Sequence, residues 1–416
     1  MSRFLCTKFK FELRMKKIIF LLALTIFYLQ PNVKAEEISL SPNNETTLED
    51  VKQSPEEINL EPIILEPEEK PQEEKVSPYT KRALKGIIER NYDLNSTRGM
   101  LHDQLRVDIP KGPVKDANLQ VNLLGTFSDT IDSKNSNFKF RMQTINVGLN
   151  GKFRSEKEGY NLLFDLTPTN QNFFHHLVLD AWVETKRIPH NTLMFGTSRP
   201  TVGYEGGQSP YLIPFLTRSQ TARNFGNIRK TGIRLKGDYK YMDYDLGGYS
   251  SDTWYSEFFP GVEADLWVNF KPLAKGEGKW GNLNVGGGIQ TGSRNSTDFL
   301  LEMAALRYEY KKFWMRAEWA NADGSNGASG LTEKRRWGYN FTLAYRLTKK
   351  LEFLLRYDDF DPDKMKPKNN QREYTAGINY FILGQTARLI LNYVLCQNTQ
   401  NSTYSHKIMV GTQFLL

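Results

Sequence analysis

Three arginines occur in a stretch, residues 198–226, that lacks the hydrophobic alternation of the segments on either side of it. Arg199, Arg218 and Arg223 are accompanied there by glycines, prolines and aromatic residues. A guanidinium group can hold an oxyanion with two parallel hydrogen bonds and stays charged at any relevant pH. A structureless connection of this length is uncommon in a compact domain unless the loop has a function. These residues therefore offer the chemistry of anion recognition.

Residue patterns typical of catalysis are missing from the sequence. It has neither a nucleophile elbow nor a phosphate-binding glycine loop, and no helix follows the glycine-rich stretch at 286–292. The acidic stretch DDFDPD at 358–363 could bind calcium, but its spacing matches no known calcium loop, and a solvated loop is the simpler interpretation. Five histidines lack the spacing of metal ligands: His102, His175, His176, His190 and His406. We expect no catalytic residue, no metal and no cofactor.

From Asn118 onward, apolar residues alternate with polar ones over long segments. Many of these segments run for ten or more residues, which is the length that a tilted strand needs to cross a bilayer. Strands of soluble sandwiches are usually shorter and have their polar face outside. Long alternation with repeated aromatic residues is typical of outer-membrane barrels. The residues predicted to face lipid include Trp337, Tyr339, Phe341, Tyr345, Phe353 and Tyr393.

Sixteen such segments can be counted, and the even number is typical of bacterial barrels. They lie near 117–128, 138–153, 160–167, 177–187, 191–198, 226–237, 239–250, 260–271, 280–292, 298–311, 312–321, 335–347, 350–361, 371–382, 385–398 and 404–416. Tight turns alternate with longer polar connections, such as 322–334 and 361–370. The predicted fold is therefore all-β: a 16-stranded antiparallel transmembrane β-barrel.

The long basic stretch falls between the fifth and sixth predicted strands, as the third external loop. A sixteen-stranded barrel leaves a water-filled lumen. We expect residues 199–225 to fold into this lumen as a constriction loop, with Tyr211, Leu212, Ile213 and Phe215 on the inner wall. An outward loop without a special role is the alternative, but so many apolar residues would then be exposed.

The inward phase of the strands is rich in charge. Its basic residues are Lys152, Arg234, Lys236, Arg307, Arg316, Arg336, Arg346, Arg356 and Arg388, and its acids are Asp165, Asp180, Glu184, Glu263, Asp265, Glu302, Glu309 and Glu318. Rings of Arg and Lys favour anions in pores, whereas pairing with the acids would make a neutral lattice. The residues predicted to line an anion path are Arg199, Arg218, Arg223, Arg229, Lys230, Arg234, Lys236, Arg316, Arg336 and Arg346.

The first 116 residues form three predicted segments. Residues 1–35 contain a signal peptide, with a basic start at Met15, an apolar run to Leu29 and a final Ala35; Met15 is the predicted true start. Residues 36–78 carry thirteen acids and six prolines and predict a disordered tether. Helical spacing at 79–91 predicts a short periplasmic helix within 79–116, which either packs on the barrel or acts as a plug or oligomerisation element. The barrel takes 117–416.

Several short motifs resemble the phosphate-selective porin O and P family over roughly 117–416. They are LMFGTSRPTVGYEGG at 193–207, PFLTRS at 214–219, RYDDFDPD at 356–363, YTAGINYFI at 374–382 and ARLILNYV at 387–394. The resemblance implies a sixteen-stranded barrel, usually trimeric, with a third loop that forms the constriction. It also implies a basic inner wall that passes anions such as phosphate.

Charge and export limit the partners. From Tyr79 onward the chain has 45 basic and 33 acidic residues, a net charge of +12. Basic domains often bind nucleic acid, but an exported chain seldom meets it, so small anions and lipopolysaccharide are the expected partners. The first hypothesis is an outer-membrane porin biased toward anions and assembled as a homotrimer. The alternative is a structural or adhesive barrel tethered to periplasmic partners.

Overall fold

The computed structural model describes residues 106–132, 136–167, 177–252, 257, 259–276, 278–383 and 387–415. The predicted signal peptide, acidic tether and helix at 79–91 lie outside these residues, as do His102, His175 and His176. The described end of the segment 79–116 contains a three-residue strand, β1 (Arg106–Asp108), and no helix. Within the described ranges, no helix has both the length and the apolar composition needed to cross a membrane.

Sixteen longer strands follow β1. The first eight are β2 (Asp116–Ile131), β3 (Ser136–Lys152), β4 (Glu158–Asp165), β5 (Val178–Thr185), β6 (Asn191–Ser198), β7 (Lys230–Asp238), β8 (Met242–Ser250) and β9 (Val262–Phe270). The second eight are β10 (Asn282–Arg294), β11 (Thr297–Tyr310), β12 (Phe313–Gly327), β13 (Gly330–Arg346), β14 (Leu351–Asp361), β15 (Gln371–Leu383), β16 (Ala387–Asn398) and β17 (Thr403–Leu415). Each overlaps one predicted segment.

The sheet closes on itself. Every strand from β2 to β16 pairs antiparallel with the next one, and β17 returns to pair with β2, where Val410 lies opposite Phe127. β1 adds a short pairing at the start of β2, with Arg106 opposite Asn118. Closure satisfies the backbone hydrogen bonds of every barrel strand without a free edge, which a bilayer requires. The predicted 16-stranded antiparallel barrel is confirmed.

Side chains alternate between the two faces as predicted. On β13, Phe341 is exposed, while its neighbours Asn340 and Thr342 are buried. Outward aromatic rings form a row across neighbouring strands, from Trp337 through Tyr339 to Tyr357, with ring centroids 5.6 and 5.8 Å apart. An apolar outer band with aromatic rows on an even-stranded closed barrel is the architecture of outer-membrane proteins. The barrel therefore belongs in the bacterial outer membrane.

The stretch 322–334 is different from the prediction. It was expected to be an external polar loop, but β12 continues to Gly327 and β13 begins at Gly330, so the stretch is the tip of a long hairpin. The hairpin is irregular between Asp323 and Ser325, and the intervening Gly324 has a φ of 70°. This tip is rich in glycine and polar residues, is buried at 324–327 and contacts the inner loop between β6 and β7, so its sequence lacks the alternation on which the prediction relied.

The face predicted for Glu302 was also wrong. It was assigned to the inward phase of β11, but it is exposed on the outward face and accepts a hydrogen bond from Asn321 at 3.1 Å. On β11 the inward positions are instead Leu301, Met303 and Ala305, which are apolar. Both faces of this strand carry apolar residues, so alternation alone could not decide which face was inside.

Candidate functional site

Residues 199–229, between β6 and β7, form the segment that we call the inner loop. It contains two short helices, α1 (Gly203–Gly206) and α2 (Gln220–Asn224), and a 3-10 turn between them at Pro210–Leu212. Ser219 caps α2, because its hydroxyl accepts a hydrogen bond from the Ala222 backbone at 3.3 Å. Most of the loop is buried against inward-facing side chains of the barrel.

Apolar side chains of the inner loop pack on the wall in four clusters. Leu216 packs with Leu124, Ile390 and Met409, which belong to β2, β16 and β17. The other clusters centre on Phe215, on Tyr211 with Leu212, and on Val202 with Tyr204 and Phe225. Full burial of one such side chain contributes about 1.5–3 kcal/mol. The inner loop is therefore fixed to the wall along its whole length.

Polar side chains of the wall bind the backbone of the inner loop. Arg388 on β16 donates to the carbonyl oxygens of Ile213 at 2.8 Å and Tyr211 at 3.2 Å. Asn392 accepts from the backbone of Leu216 at 2.8 Å. Asp358 on β14 likewise accepts from the backbone of Gln220 at 2.8 Å. A buried irregular segment has to satisfy its backbone polar groups in this way.

The two limbs of the inner loop cross at a pair of glycines. A Cβ atom added to Gly226 would lie 2.7 Å from the Cα atom of Gly206, which is backbone and has little room to move. The amide of Asn227 donates to the carbonyl oxygen of Gly206 at 3.2 Å across the same crossing. Only glycine fits this approach, so the two positions hold α1 and α2 together.

Glu205 is the centre of a buried ion network. Its carboxylate contacts the guanidinium of Arg316 on β12, lies 3.7 Å from that of Arg356 on β14, and accepts from the Ser219 backbone at 3.0 Å. Burial by itself would raise the pKa of Glu205, but the charges of Arg316, Arg356 and Arg218 lower it below the ordinary value. Glu205 is thus ionised at neutral pH and ties α1 to two strands.

Three arginines of the inner loop meet at one place, which we call the arginine cluster: Arg199, Arg218 and Arg229. Arg199 and Arg218 both donate to the carbonyl oxygen of Gln208, Arg218 at 2.5 Å, and Arg229 pairs with Asp180 at 2.9 Å. Burial and the neighbouring arginine charges lower the pKa of Arg199 well below its ordinary value. Burial likewise lowers the pKa of Arg218, to about 10, against the opposing effect of Glu205.

Most of the other predicted site residues are paired with acids. Arg223 binds Glu373 at 2.6 Å and is the most exposed of them, with about a third of its side chain accessible. The remaining pairs, all buried, are Arg316 with Glu205, Lys230 with Glu263, Arg234 with Asp245, and Arg346 with Glu352. Pairing between strands, considered from the sequence, therefore occurs at Lys230, Arg234 and Arg346, whereas Arg223 and Arg316 form pairs between the inner loop and the wall.

Arg336 and Lys236 have other surroundings. Arg336 donates to the side-chain oxygen of Asn224 at 2.9 Å and lies over the rings of Phe225 and Phe360, 5.3 and 5.1 Å from their centroids. Lys236 is buried on β7. The arginine cluster differs from these positions because its three guanidinium groups lie close enough together for each to interact with the charge of another.

The importance of Glu205 was missed by the sequence reasoning. A signal was present, since Glu205 is the only acid between residues 199 and 229 and has glycines on both sides at 203 and 206–207. Within the described ranges, no group of three or more histidine, cysteine or acidic side chains is arranged to hold a metal ion. The chemistry of the site is therefore that of arginines and their partners.

Several inward-facing polar atoms of the wall have no partner in the described part of the protein. Trp182 Nε1, Trp267 Nε1 and the hydroxyls of Thr342 and Thr375 are buried and have no hydrogen-bond partner among the described residues. A buried polar atom left without a partner costs about 1–3 kcal/mol.

A closed sixteen-stranded barrel with a long loop folded against its inner wall is the architecture of porins. No protein-family model and no curated protein matches the chain. Solved structures do match it. An anion-selective porin from Comamonas acidovorans aligns with a TM-score of 0.55 and 11% identity, over 72% of this chain and 99% of that one. The outer membrane channel DcaP of Acinetobacter baumannii gives 0.54 and 10%, over 74% and 99%. Salmonella typhi OmpF, in a complex with daunomycin, gives 0.54 and 10%, over 72% and 98%. The chain shares the fold of these proteins.

Proposed function

We propose that this chain is an outer-membrane porin, a channel for the passive diffusion of small solutes that favours anions. The observation that carries the proposal is the arginine cluster on the inner loop. Arg199, Arg218 and Arg229 lie so close together that their repulsion adds to burial in lowering the pKa of Arg199 and the pKa of Arg218, while among the described residues Asp180 pairs with Arg229 alone. Low-dielectric walls focus such a field and raise the local concentration of anions. One of the structural neighbours, the porin from Comamonas acidovorans, is anion-selective, which agrees with this bias.

Phosphate-like anions are the class that we propose for the channel. An oxyanion can accept two parallel hydrogen bonds from each guanidinium. Several arginines can therefore replace the water molecules that hydrate the anion in solution. The short motifs that resemble the phosphate-selective porins support the same class. Lipopolysaccharide as a surface partner and assembly as a homotrimer stay predictions.

The reversal potential in a salt gradient tests the anion bias. The perturbation is the pair Arg199→Gln and Arg218→Gln, and the control is Arg335→Gln, whose side chain is exposed and paired with Asp323 at 3.1 Å. A unit charge about 5 Å from a passing ion contributes about 0.8 kcal/mol in water, and physiological salt screens part of it. Each of the two charges attracts a passing anion and repels a passing cation. Removing both should therefore change the ratio of anion to cation permeability about tenfold.

We expect the double variant to lose most of its anion preference and the control to keep it. The preference of the unaltered channel should also weaken as salt rises, because screening shortens the range of the field. An unchanged permeability ratio in the double variant would refute the role of the arginine cluster. Deleting 204–217 should raise the conductance, and an unchanged conductance would mean that the inner loop is not the constriction.

The structural or adhesive barrel remains the second candidate, because the tip of the β12–β13 hairpin also contacts the inner loop. Ala328 donates to the carbonyl oxygen of Gly226 at 3.3 Å, and Ser329 to that of Asn224 at 3.1 Å. Two elements packed together narrow the space for solutes. A barrel that folds but never conducts in planar bilayers, with or without residues 325–329, would favour this candidate over the channel.

A further inference from the structure

The inward face of β2, β3 and β4 carries six buried amides together with the acids Asp116 and Asp165, where much of the remaining wall carries ion pairs. We call it the amide surface, and its members are Asn118, Gln120, Asn122, Asn146, Asn150 and Asn161, all buried. Asn118 lies opposite Asn150, which in turn lies opposite Asn161 on the next strand. Residues opposite each other on one face have Cβ atoms about 4.5–5.5 Å apart. The amides therefore form a continuous surface.

Amide atoms on this surface lack partners inside the protein. Asn118 Oδ1 and Asn122 Nδ2 are buried and have no hydrogen-bond partner in the part of the chain that the structure describes. The two side chains belong to residues that are only 4% and 3% exposed. A buried acceptor and a buried donor on the same face of β2 thus lack a protein partner among the described residues, which is unfavourable, and a polar molecule that reaches them would relieve that cost.

The amide surface adjoins the arginine cluster. Asn161 on β4 lies opposite Trp182 on β5, whose buried indole N–H also has no partner among the described residues. Asp180, two residues before Trp182 on the same face, holds Arg229 at 2.9 Å. Adjacent strands are about 4.8 Å apart, so the row from Asn118 on β2 to Trp182 on β5 is about 14 Å wide. That width accommodates one sugar ring.

The chemistry of the combined surface selects a class of solute. A primary amide offers both donors and an acceptor, and a hydroxyl group can take either role, so a polyhydroxylated solute matches the amides at any orientation. The arginine cluster matches an oxyanion. We propose that the amide surface and the arginine cluster form one binding site for a hydroxyl-rich anion of the sugar phosphate class. This inference rests on the proposed function. The phosphate binds the arginines and the hydroxyls bind the amides.

Block of the channel current by added solutes tests this site on the full chain in planar bilayers. The probes are glucose 6-phosphate, butyl phosphate and inorganic phosphate, of which only the first carries sugar hydroxyls. Glucose 6-phosphate should block at about tenfold lower concentration than butyl phosphate, which is the effect of two additional neutral hydrogen bonds. This comparison requires no variant. An equal blocking concentration for the two monoesters would overturn the proposal.

A variant then assigns the effect to the amides. Asn118→Leu with Asn122→Leu nearly conserves volume and removes two amides, and Thr342→Val on β13 is the matched control, because its buried hydroxyl also lacks a partner among the described residues. The double variant should lose the tenfold advantage of glucose 6-phosphate and keep its block by inorganic phosphate. An advantage that survives in the double variant would refute the amide surface as the site.

The outcomes separate this inference from the proposed function. A channel without anion preference and without block by inorganic phosphate would refute the proposed function itself. A channel that prefers anions and is blocked equally by all three phosphates would leave the proposed function standing and refute only the sugar phosphate site. If the double variant does not fold, the comparison of the two phosphate monoesters in the unaltered protein still decides.

Discussion

Replacing Glu205 with glutamine tests whether one buried carboxylate holds the inner loop to the barrel wall. Glutamine keeps the shape of the side chain and removes its charge. Arg316 then loses the carboxylate that it contacts, and Ser219 loses a charged acceptor at 3.0 Å. The backbone N–H of Glu205 also donates to the side-chain carboxylate of Glu318 at 2.8 Å, and the substitution leaves this hydrogen bond in place.

The magnitude follows from the distances. Arg356 lies 3.7 Å from the Glu205 carboxylate, and at an effective dielectric constant of about 20 a unit pair at that separation is worth roughly 4 kcal/mol. Arg356 keeps a second acid, Asp358 at 2.7 Å. Removing one partner of a buried pair typically costs about 3–5 kcal/mol. We expect Glu205→Gln to lower the free energy of unfolding by that amount.

Two measurements check this prediction. The first is the unfolding midpoint in denaturant, and the second is the current noise of single channels, which should rise because α1 is released more often. Glu302→Gln is the control, since Glu302 is exposed on the outward face. A Glu205→Gln channel as stable and as quiet as the unaltered one would refute the anchoring role of the carboxylate.

The same carboxylate gives a pH dependence of known sign. The arginines lower the pKa of Glu205, so the folded state binds its proton less readily than the unfolded state. The stability from Glu205 is therefore fully present above the unfolded pKa and is lost as pH falls through the lowered folded pKa. The contribution of Glu205 should therefore be intact at neutral pH and be lost only in acid, below the ordinary carboxyl range. The rise in channel noise on acidification should be smaller in Glu205→Gln than in the unaltered channel.

Further predictions concern the loop crossing, the mouth and the lipid face. Gly226→Ala should destabilise the protein by about 1–3 kcal/mol, because its Cβ atom meets Gly206 at 2.7 Å; Gly248→Ala, with nothing within 4 Å, should be neutral in the same denaturation assay. Cys396, inward-facing on β16 and partly exposed, should react with a negatively charged thiol reagent and thereby reduce anion preference, and a labelled channel with unchanged selectivity would contradict this. Phe341→Arg should impair barrel assembly in lipid by up to about 2–4 kcal/mol, depending on depth, while Phe341→Leu is tolerated; equal assembly yields would refute its outward orientation.

The sequence by itself determined the strands and, for most of them, their faces. Alternation with period two is a local property that a lipid-exposed, water-filled barrel imposes on every strand, so it could be recognised without knowledge of the neighbours. The fifth predicted strand, 191–198, has the same bounds as β6. The prediction was wrong where this constraint is weaker: at 322–334, whose strand ends lack alternation, and at Glu302, on a strand with apolar residues on both faces.

Only the tertiary structure decided which charges compensate each other. Glu205 and Arg316 are 111 residues apart and meet because the inner loop crosses the lumen to β12. The basic composition of the loop predicted attraction of anions, but whether each arginine has an acid beside it depends on strand register and on the path of the loop. Both are set by long-range packing, such as the contact of Gly206 with Gly226 and the burial of Leu216 on the wall. Composition therefore predicted the sign of the charge, and the fold brought Arg199, Arg218 and Arg229 together beside Asp180.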